Sequence, residues 1–178
     1  MVPIEMVPKN FKLLISDKAI QKSILKLADQ LNADYKGKRL ILIGVLKGAF
    51  IFMADLMRQL TVPIEVDFVK LESYGSGTES SGMVKLLKDI DIDISNQHVL
   101  IIEEIIDSGR TLKFLRDRLE ASSPKSIKIC ALLDKKARRA VPIEADYVGI
   151  EVEDKFLIGY GLDYDQAYRN LPGIYYVE

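Results

Sequence analysis

Apolar positions recur along the chain with two alternating spacings. Behind Ser16, the residues Ile20, Ile24, Leu27, Ala28 and Leu31 fall three and four apart, which predicts an amphipathic helix capped by the serine. Gly37 ends that pattern, and the unbroken run Leu40–Val45 predicts a strand buried on both faces. Ala49–Leu60 is long and apolar enough for a second helix, and beyond the break at Pro63, Ile64–Leu71 reads as a strand. A third buried strand, Val99–Ile102, runs into an acidic turn, Glu103–Gly109. Thr111–Ala121 then has helical spacing at Leu112, Leu115 and Leu119, and Ile127–Leu133 and Tyr147–Val152 supply two more strands. Glu72–Gly82 is polar and glycine-rich with no apolar period, the composition of a loop that serves a function or stays disordered. Strands alternating with helices imply right-handed crossovers and an α/β fold, a mainly parallel twisted sheet flanked by helices. No internal repeat or linker divides the chain, so residues 1–178 are expected to form one domain. In such sheets ligands bind outside the carboxyl ends of the strands, which directs attention to each strand exit.

Composition narrows the partners. The formal net charge is -1, so no overall basic field points to nucleic acid or an anionic membrane, and any anion must be held locally. No apolar run approaches the roughly 20 residues that span a bilayer. Met1–Phe11 lacks the basic, apolar and small-residue pattern of a secretion signal, so a cytoplasmic location is expected. The one cysteine, Cys130, sits in an apolar run and suits a buried, inert thiol; the one histidine, His98, has no second His or Cys nearby for a metal site.

The richest strand exit is Val99 to Leu112. Four apolar residues bury a strand, Glu103 and Glu104 emerge at its end, and Asp107 opens the turn Ser108-Gly109-Arg110-Thr111 into a helix. Free amide N–H groups at a helix start, two hydroxyls and a glycine that admits close backbone approach form a cradle for a phosphate monoester. The same residues also suit a plainer part, a capped helix whose acids favour the positive end of its dipole. Three acids beside the cradle weigh toward the phosphate, because crowded carboxylates repel unless a cation or sugar hydroxyls lie between them. No Walker loop occurs, and no Gly-x-Gly-x-x-Gly follows the first strand, which disfavours nucleotide hydrolysis and dinucleotide binding.

This stretch closely resembles the phosphoribosyl pyrophosphate motif of type I phosphoribosyltransferases. Three more segments resemble the hypoxanthine-guanine branch of that family. Leu46-Lys47-Gly48 resembles the pyrophosphate loop, whose Leu46–Lys47 bond can be cis. Leu71–Gly77 resembles a mobile loop whose Ser73-Tyr74 pair closes over the reacting centre. Asp154–Tyr164, with Arg169-Asn170-Leu171-Pro172 beyond it, resembles a base-binding hood. The resemblance implies the type I phosphoribosyltransferase fold, with a core over about residues 38–150 and a small hood formed by residues 1–15 and 151–178. The implied reaction joins hypoxanthine or guanine to the ribose of phosphoribosyl pyrophosphate, with Mg2+ as cofactor and a homo-oligomer, dimer or tetramer, as the assembly.

Site residues follow by position. Asp107, Ser108, Gly109, Arg110 and Thr111 would take the ribose 5-phosphate, and Asp107 would also be the general base at purine N7. Glu103 and Glu104 would hold the ribose hydroxyls directly or through magnesium and water. Lys47, Gly48, Ser73, Tyr74 and Arg169 would face pyrophosphate. Ile105 and Phe156 would enclose the base, the Leu157 carbonyl would meet its edge, Lys135 would donate to the 6-oxo group, and Asp163 would lie near the base and a second magnesium. Two positions depart from the commonest family form: Glu104 stands where Asp is more frequent, and Ser108 where Thr is. Two alternatives stay open. One is a phosphoribosyltransferase for xanthine or another base. The other is an RNA-binding regulator of pyrimidine genes with the same fold, for which Lys125, Lys128, Lys135, Lys136, Arg138 and Arg139 would be the basic face.

Overall fold

A computed structural model describes residues 7, 10–73 and 84–177. In chain order its elements are β1 (Phe11–Ile15), α1 (Asp17–Asp34), β2 (Leu40–Leu46), α2 (Phe50–Met57), β3 (Ile64–Ser73) and β4 (Val84–Lys88). They continue with β5 (His98–Ile106), α3 (Arg110–Glu120), β6 (Ser126–Asp134), a 3-10 turn (Lys136–Arg138), β7 (Tyr147–Glu151), β8 (Leu157–Ile158) and β9 (Ile174–Val177). Ser16 caps α1, its hydroxyl accepting from the Ala19 amide at 3.3 Å.

The apolar runs make a six-stranded sheet in the order β4-β3-β2-β5-β6-β7, parallel except for the edge strand β4. Successive side chains of a strand point to opposite faces, so an unbroken apolar run needs a cover on both. Leu40, Leu42, Leu100, Ile102, Cys130 and Leu132 join α1 and α2 in one core. Their strand neighbours Ile41, Ile43, Val99, Ile101, Ile129 and Ala131 join Leu112, Leu115 and Leu119 of α3 in another. A second sheet, antiparallel in the order β1-β9-β8, draws its strands from opposite ends of the described chain.

Three boundaries differ from expectation. β5 does not stop at Ile102 but continues to Ile106, because Glu103, Ile105 and Ile106 still pair with Ala131, Leu133 and Asp134 of β6. The acidic pair therefore sits in the strand and not in a turn. β3 likewise runs to Ser73, two residues into the expected loop, held by antiparallel pairing to β4. The rest of that loop, Tyr74 included, lies outside the described residues. α2 ends at Met57 and not Leu60, because the next amides close three-residue turns, Gln59 on Leu56 and Leu60 on Met57.

Asp67 of β3 ties the sheet to the segment after β4. Its Oδ2 accepts the amides of Asp91 and Ile92 at 2.6 and 3.1 Å, and its Oδ1 accepts the Phe68 amide and Lys88 Nζ at 2.7 and 3.3 Å. Burial would raise this carboxyl, but the three amides and Lys88 outweigh it and hold the group below the usual carboxylate range. Asp67→Ala leaves three part-buried amides without this acceptor and should cost about 1–3 kcal/mol. A depressed carboxyl stabilises above its unfolded pKa and loses that contribution as pH falls through the folded one. Thermal melts of both proteins should therefore differ at neutral pH and converge on acidification below about pH 4. A gap that stays constant with pH would assign the loss to packing alone.

Candidate active site

Strand order reverses between β2 and β5, since the chain passes from β2 outward to β3 and then resumes on the other side of β2. The carboxyl ends of those two strands flank the crevice where open α/β sheets bind ligands. Leu46-Lys47-Gly48 leaves β2 there, with a cis Leu46–Lys47 peptide, and the end of β5 with Glu103 and Glu104 runs beside it into Asp107 and Ser108. The two exits touch. A Cβ on Gly48 would lie 1.7 Å from Glu104 Oε1, and a Cβ on Gly161 would lie 2.1 Å from the Gly48 carbonyl oxygen. A side chain at Gly161, with φ 99°, would strike backbone, and one at Gly48 would displace the Glu104 carboxylate.

Beyond β5 the cradle is formed. A cavity of about 180 Å3 is lined by Val45, Glu103, Asp107, Ser108, Gly109 and Thr111, among others. Gly109 occupies the N-cap of α3 with φ 79°, so the acid at 107 is not the N-cap residue, and the Arg110 amide of the first turn donates to the Ser108 hydroxyl at 3.4 Å. The turn is fixed from behind: the Ala140 amide donates to the Ser108 carbonyl at 2.9 Å, and Arg139 Nη1 donates to the Asp107 carbonyl at 2.8 Å. Arg139 is itself paired with buried Asp134. Arg138 Nε stands 3.3 Å from Asp107 Oδ1, an ion contact without hydrogen-bond alignment.

Glu103 is buried, and Glu104 Oε2 is enclosed with no hydrogen-bond partner. Burial raises both carboxyls, and the neighbouring Glu104 charge raises Glu103 further. Two adjacent acids, one with an orphaned oxygen, suit a hard divalent cation that completes its shell with substrate oxygens and water. Among the described residues no three His, Cys, Asp or Glu side chains converge on one point. Asp163 and Arg169 lie near enough to Glu104 for their charges to act on it, Arg169 lowering and Asp163 raising its carboxyl beside the larger effect of burial. Asp163 Oδ1 pairs with Arg169 at 2.7 Å and its Oδ2 accepts the Gln166 amide at 2.9 Å.

The remaining residues approach from the other elements. Lys135 follows β6, its amide donating to the Ile106 carbonyl at 3.0 Å, which sets it beside Asp107. It is only 6% exposed, unlike its exposed neighbour Lys136, so the charge run around it is not a uniformly solvated turn. Ile105 is partly buried against the α1–α2 core. Leu157 is buried, whereas Phe156 is exposed and meets Tyr164 edge to face with ring centroids 5.7 Å apart. This exposed aromatic pair, flanking the short strand β8, is available for contact and does not serve core packing. Lys47 Nζ donates to Gln166 Oε1 at 2.8 Å, and Arg169 Nη1 donates to the Gly161 carbonyl at 2.6 Å. Tyr160, Asp165, Gln166 and Tyr168 all have positive φ, a left-handed backbone that non-glycine residues rarely adopt and that concentrates at functional sites.

Gln166, Gly161, Arg138 and Arg139 were not singled out for the site by sequence reasoning. The Gly159-Tyr160-Gly161 spacing was the available signal for a close backbone approach, but the arginines carried none beyond charge. The basic residues grouped as a possible RNA face are largely committed elsewhere: Lys128 faces Asp34, Lys136 pairs with Glu151, and Arg138 and Arg139 pair with acids. A larger cavity, about 670 Å3, lies behind the Asp107 turn, lined by the Arg139–Asp134 pair and by Arg116, Lys136, Pro142 and Glu144, among others. Cys130 is fully buried, and His98 contacts Ser126 Oγ at 2.7 Å. No described helix is long and apolar enough to cross a membrane.

Comparison with known proteins agrees with this geometry. The model of the phosphoribosyl transferase domain matches residues 14–165. The chain is 45% identical over 171 residues to the hypoxanthine-guanine phosphoribosyltransferase of Aquifex aeolicus, covering 96% of each. It is 50% identical over 163 residues to the bifunctional protein TilS/HprT of Listeria innocua, but spans only 25% of that protein's length. A crystal structure of the hypoxanthine phosphoribosyltransferase of Staphylococcus aureus superimposes with a TM-score of 0.90 at 43% identity, covering 94% of this chain and 91% of that one. Matched over most of its length in both sequence and fold, the chain belongs to the phosphoribosyltransferases, in their hypoxanthine-guanine branch.

Proposed function

We propose that the chain transfers the 5-phosphoribosyl group of phosphoribosyl pyrophosphate to N9 of hypoxanthine or guanine, giving IMP or GMP and pyrophosphate. The observation that carries this reading is the junction at Asp107, where one cavity is lined by Glu103, Asp107, Ser108, Gly109 and Thr111 and buried Lys135 is bonded to the adjacent Ile106. In the reaction the bond from purine N9 to ribose C1 forms as the bond from C1 to the pyrophosphate oxygen breaks. Positive charge grows on the sugar and negative charge on the leaving group.

Each residue has a part in that charge flow. The α3 N-terminus, with the hydroxyls of Ser108 and Thr111, holds the 5-phosphate and so fixes the sugar. Asp107 accepts the N7 proton as N9 attacks. Glu103 and Glu104 engage the ribose hydroxyls and favour the cationic sugar by their own charge. Magnesium held by these glutamates would supply neutralisation of the pyrophosphate oxygens. Lys47 and Arg169 add cations on the same side. Phe156 stacks on the base opposite Ile105, the Leu157 carbonyl accepts from its edge, and Lys135 donates to the 6-oxo group.

The test is direct. The protein is incubated with phosphoribosyl pyrophosphate, magnesium and, in turn, hypoxanthine, guanine, xanthine, adenine and uracil, and nucleoside monophosphate is measured. The expected products are IMP and GMP; selective use of xanthine or uracil would overturn the substrate assignment. The same assay reads the lysine. An ammonium donates to a 6-oxo group but meets another donor in the adenine 6-amino group, and a polar group left unpaired costs about 1–3 kcal/mol, a factor of roughly 5 to 150. Lys135→Ala should lower use of guanine and hypoxanthine by that order and narrow the gap to adenine. An equal loss with every base would make the lysine structural.

A further inference from the structure

Arg138 touches two carboxylates that belong to different parts of the site. Its Nε is 3.3 Å from Asp107 Oδ1, at the end of the β5 exit, and its Nη1 is 3.5 Å from Asp154 Oδ1, at the start of the segment that carries Phe156 and Leu157. We infer that Arg138 is a positioning residue for the purine, one cation that sets the proton-accepting acid and the stacking segment at a common spacing. The inference rests on the reading of Asp107 and Phe156 given above.

The physical argument is one of charge. Asp107 and Asp154 would repel across the mouth of the base site if nothing lay between them, and the shared guanidinium converts that repulsion into a bridge. A planar guanidinium can engage two acids at once from separate nitrogens, which the single ammonium of lysine does less well. Arg138 is also held close to its task, because the turn Lys136–Arg138 leads directly into Arg139, which grips the Asp107 carbonyl and buried Asp134. The two adjacent arginines thus divide one job: Arg139 fixes the Asp107 backbone from the buried side, and Arg138 meets its side chain from the solvent side. Both partners of Arg138 are about half exposed, at 47% and 50%, so the bridge adds little to global stability and its effect should appear in binding.

Arg138→Gln removes the cation and keeps the length. Steady-state kinetics should show KM for hypoxanthine and guanine raised about 5-fold, the scale of an exposed ion pair near its upper limit, with KM for phosphoribosyl pyrophosphate and the melting temperature unchanged. Arg138→Lys should recover part of the loss. Asp154→Asn should raise the purine KM in the natural chain but add little in the Arg138→Gln background, since the partner is already gone. The bridge is overturned if the purine KM does not move, if both KM values rise together, if only kcat falls, or if the two substitutions add independently. These outcomes differ from failure of the underlying site assignment. That failure would appear as normal turnover in Asp107→Asn, whatever Arg138→Gln does.

Discussion

Replacing Asp107 by asparagine is expected to lower turnover by about 10²- to 10⁴-fold while phosphoribosyl pyrophosphate still binds, the range a positioned general base contributes. The change preserves size and shape but removes the charge and the basic lone pair. Binding of the 5-phosphate should survive, since the cradle uses backbone amides and the hydroxyls of Ser108 and Thr111, which the substitution leaves in place. Stability should survive too. The N-cap of α3 is Gly109 and not the acid, so no cap is lost. The Asp107 carbonyl keeps its bond from Arg139, and the pair with half-exposed Arg138 is worth at most about 1 kcal/mol. Turnover, ligand affinity and melting temperature measured on one preparation separate chemistry from folding. Turnover near that of the natural chain would falsify the general-base role.

The second large effect is expected at Gly48. An added methyl there would lie 1.7 Å from Glu104 Oε1 and 2.1 Å from its carboxyl carbon, far inside any real contact. Any retreat of the glutamate takes its carboxylate, whose Oε2 is buried without a hydrogen-bond partner, away from the place it holds beside the loop. The loop cannot back away, because the Gly48 carbonyl is already pressed against Gly161. Gly48→Ala must therefore shift the carboxylate, the loop or both. Misplacement of about 1 Å in a reacting constellation costs on the order of 10²-fold in rate. We expect kcat with hypoxanthine to fall by that order and KM for phosphoribosyl pyrophosphate to rise, with far-ultraviolet circular dichroism unchanged. Activity within twofold of the natural chain would show that the contact yields without harm and that Glu104 needs no fixed place.

Much of the core was legible because its signals are local. The cap at Ser16, the three-and-four spacing behind it and the unbroken runs of β2, β5 and β6 each follow from neighbours in sequence. The sheet extends past those runs wherever pairing outweighs polarity. Glu103 and Glu104 read as a turn because acids are seldom drawn into a strand, yet the β6 register carries β5 through them. Short edge elements left weaker traces: β4 is Val-Lys-Leu-Leu-Lys with alternate residues exposed, and β8 has only Leu157 and Ile158. In the site, the motif residues from Glu103 to Thr111 were visible as one contiguous block. Arg138, Arg139 and Gln166 were not, because their partners, Asp107, Asp134, Asp154 and Lys47, are brought to them only by the fold. Lys135 and Lys136 show the limit most plainly, adjacent and alike in sequence but opposite in burial.

The small sheet β1-β9-β8 places in its middle the strand that comes latest of the three in sequence. β1 pairs only with β9, Phe11 opposite Val177 and Ile15 opposite Ile174, and β8 reaches the sheet only through β9 as well. As the chain leaves the ribosome, β1 and β8 can therefore find no partner in this sheet until Ile174–Val177 have emerged, whereas β2, β3, β5 and β6 can already have paired. Pairing across so long a stretch of chain is slow on entropic grounds. During synthesis the parallel sheet and the turn at Asp107 would thus stand assembled before the surface that presents Phe156, so the proposed base-binding side of the site would form after the proposed phosphate side.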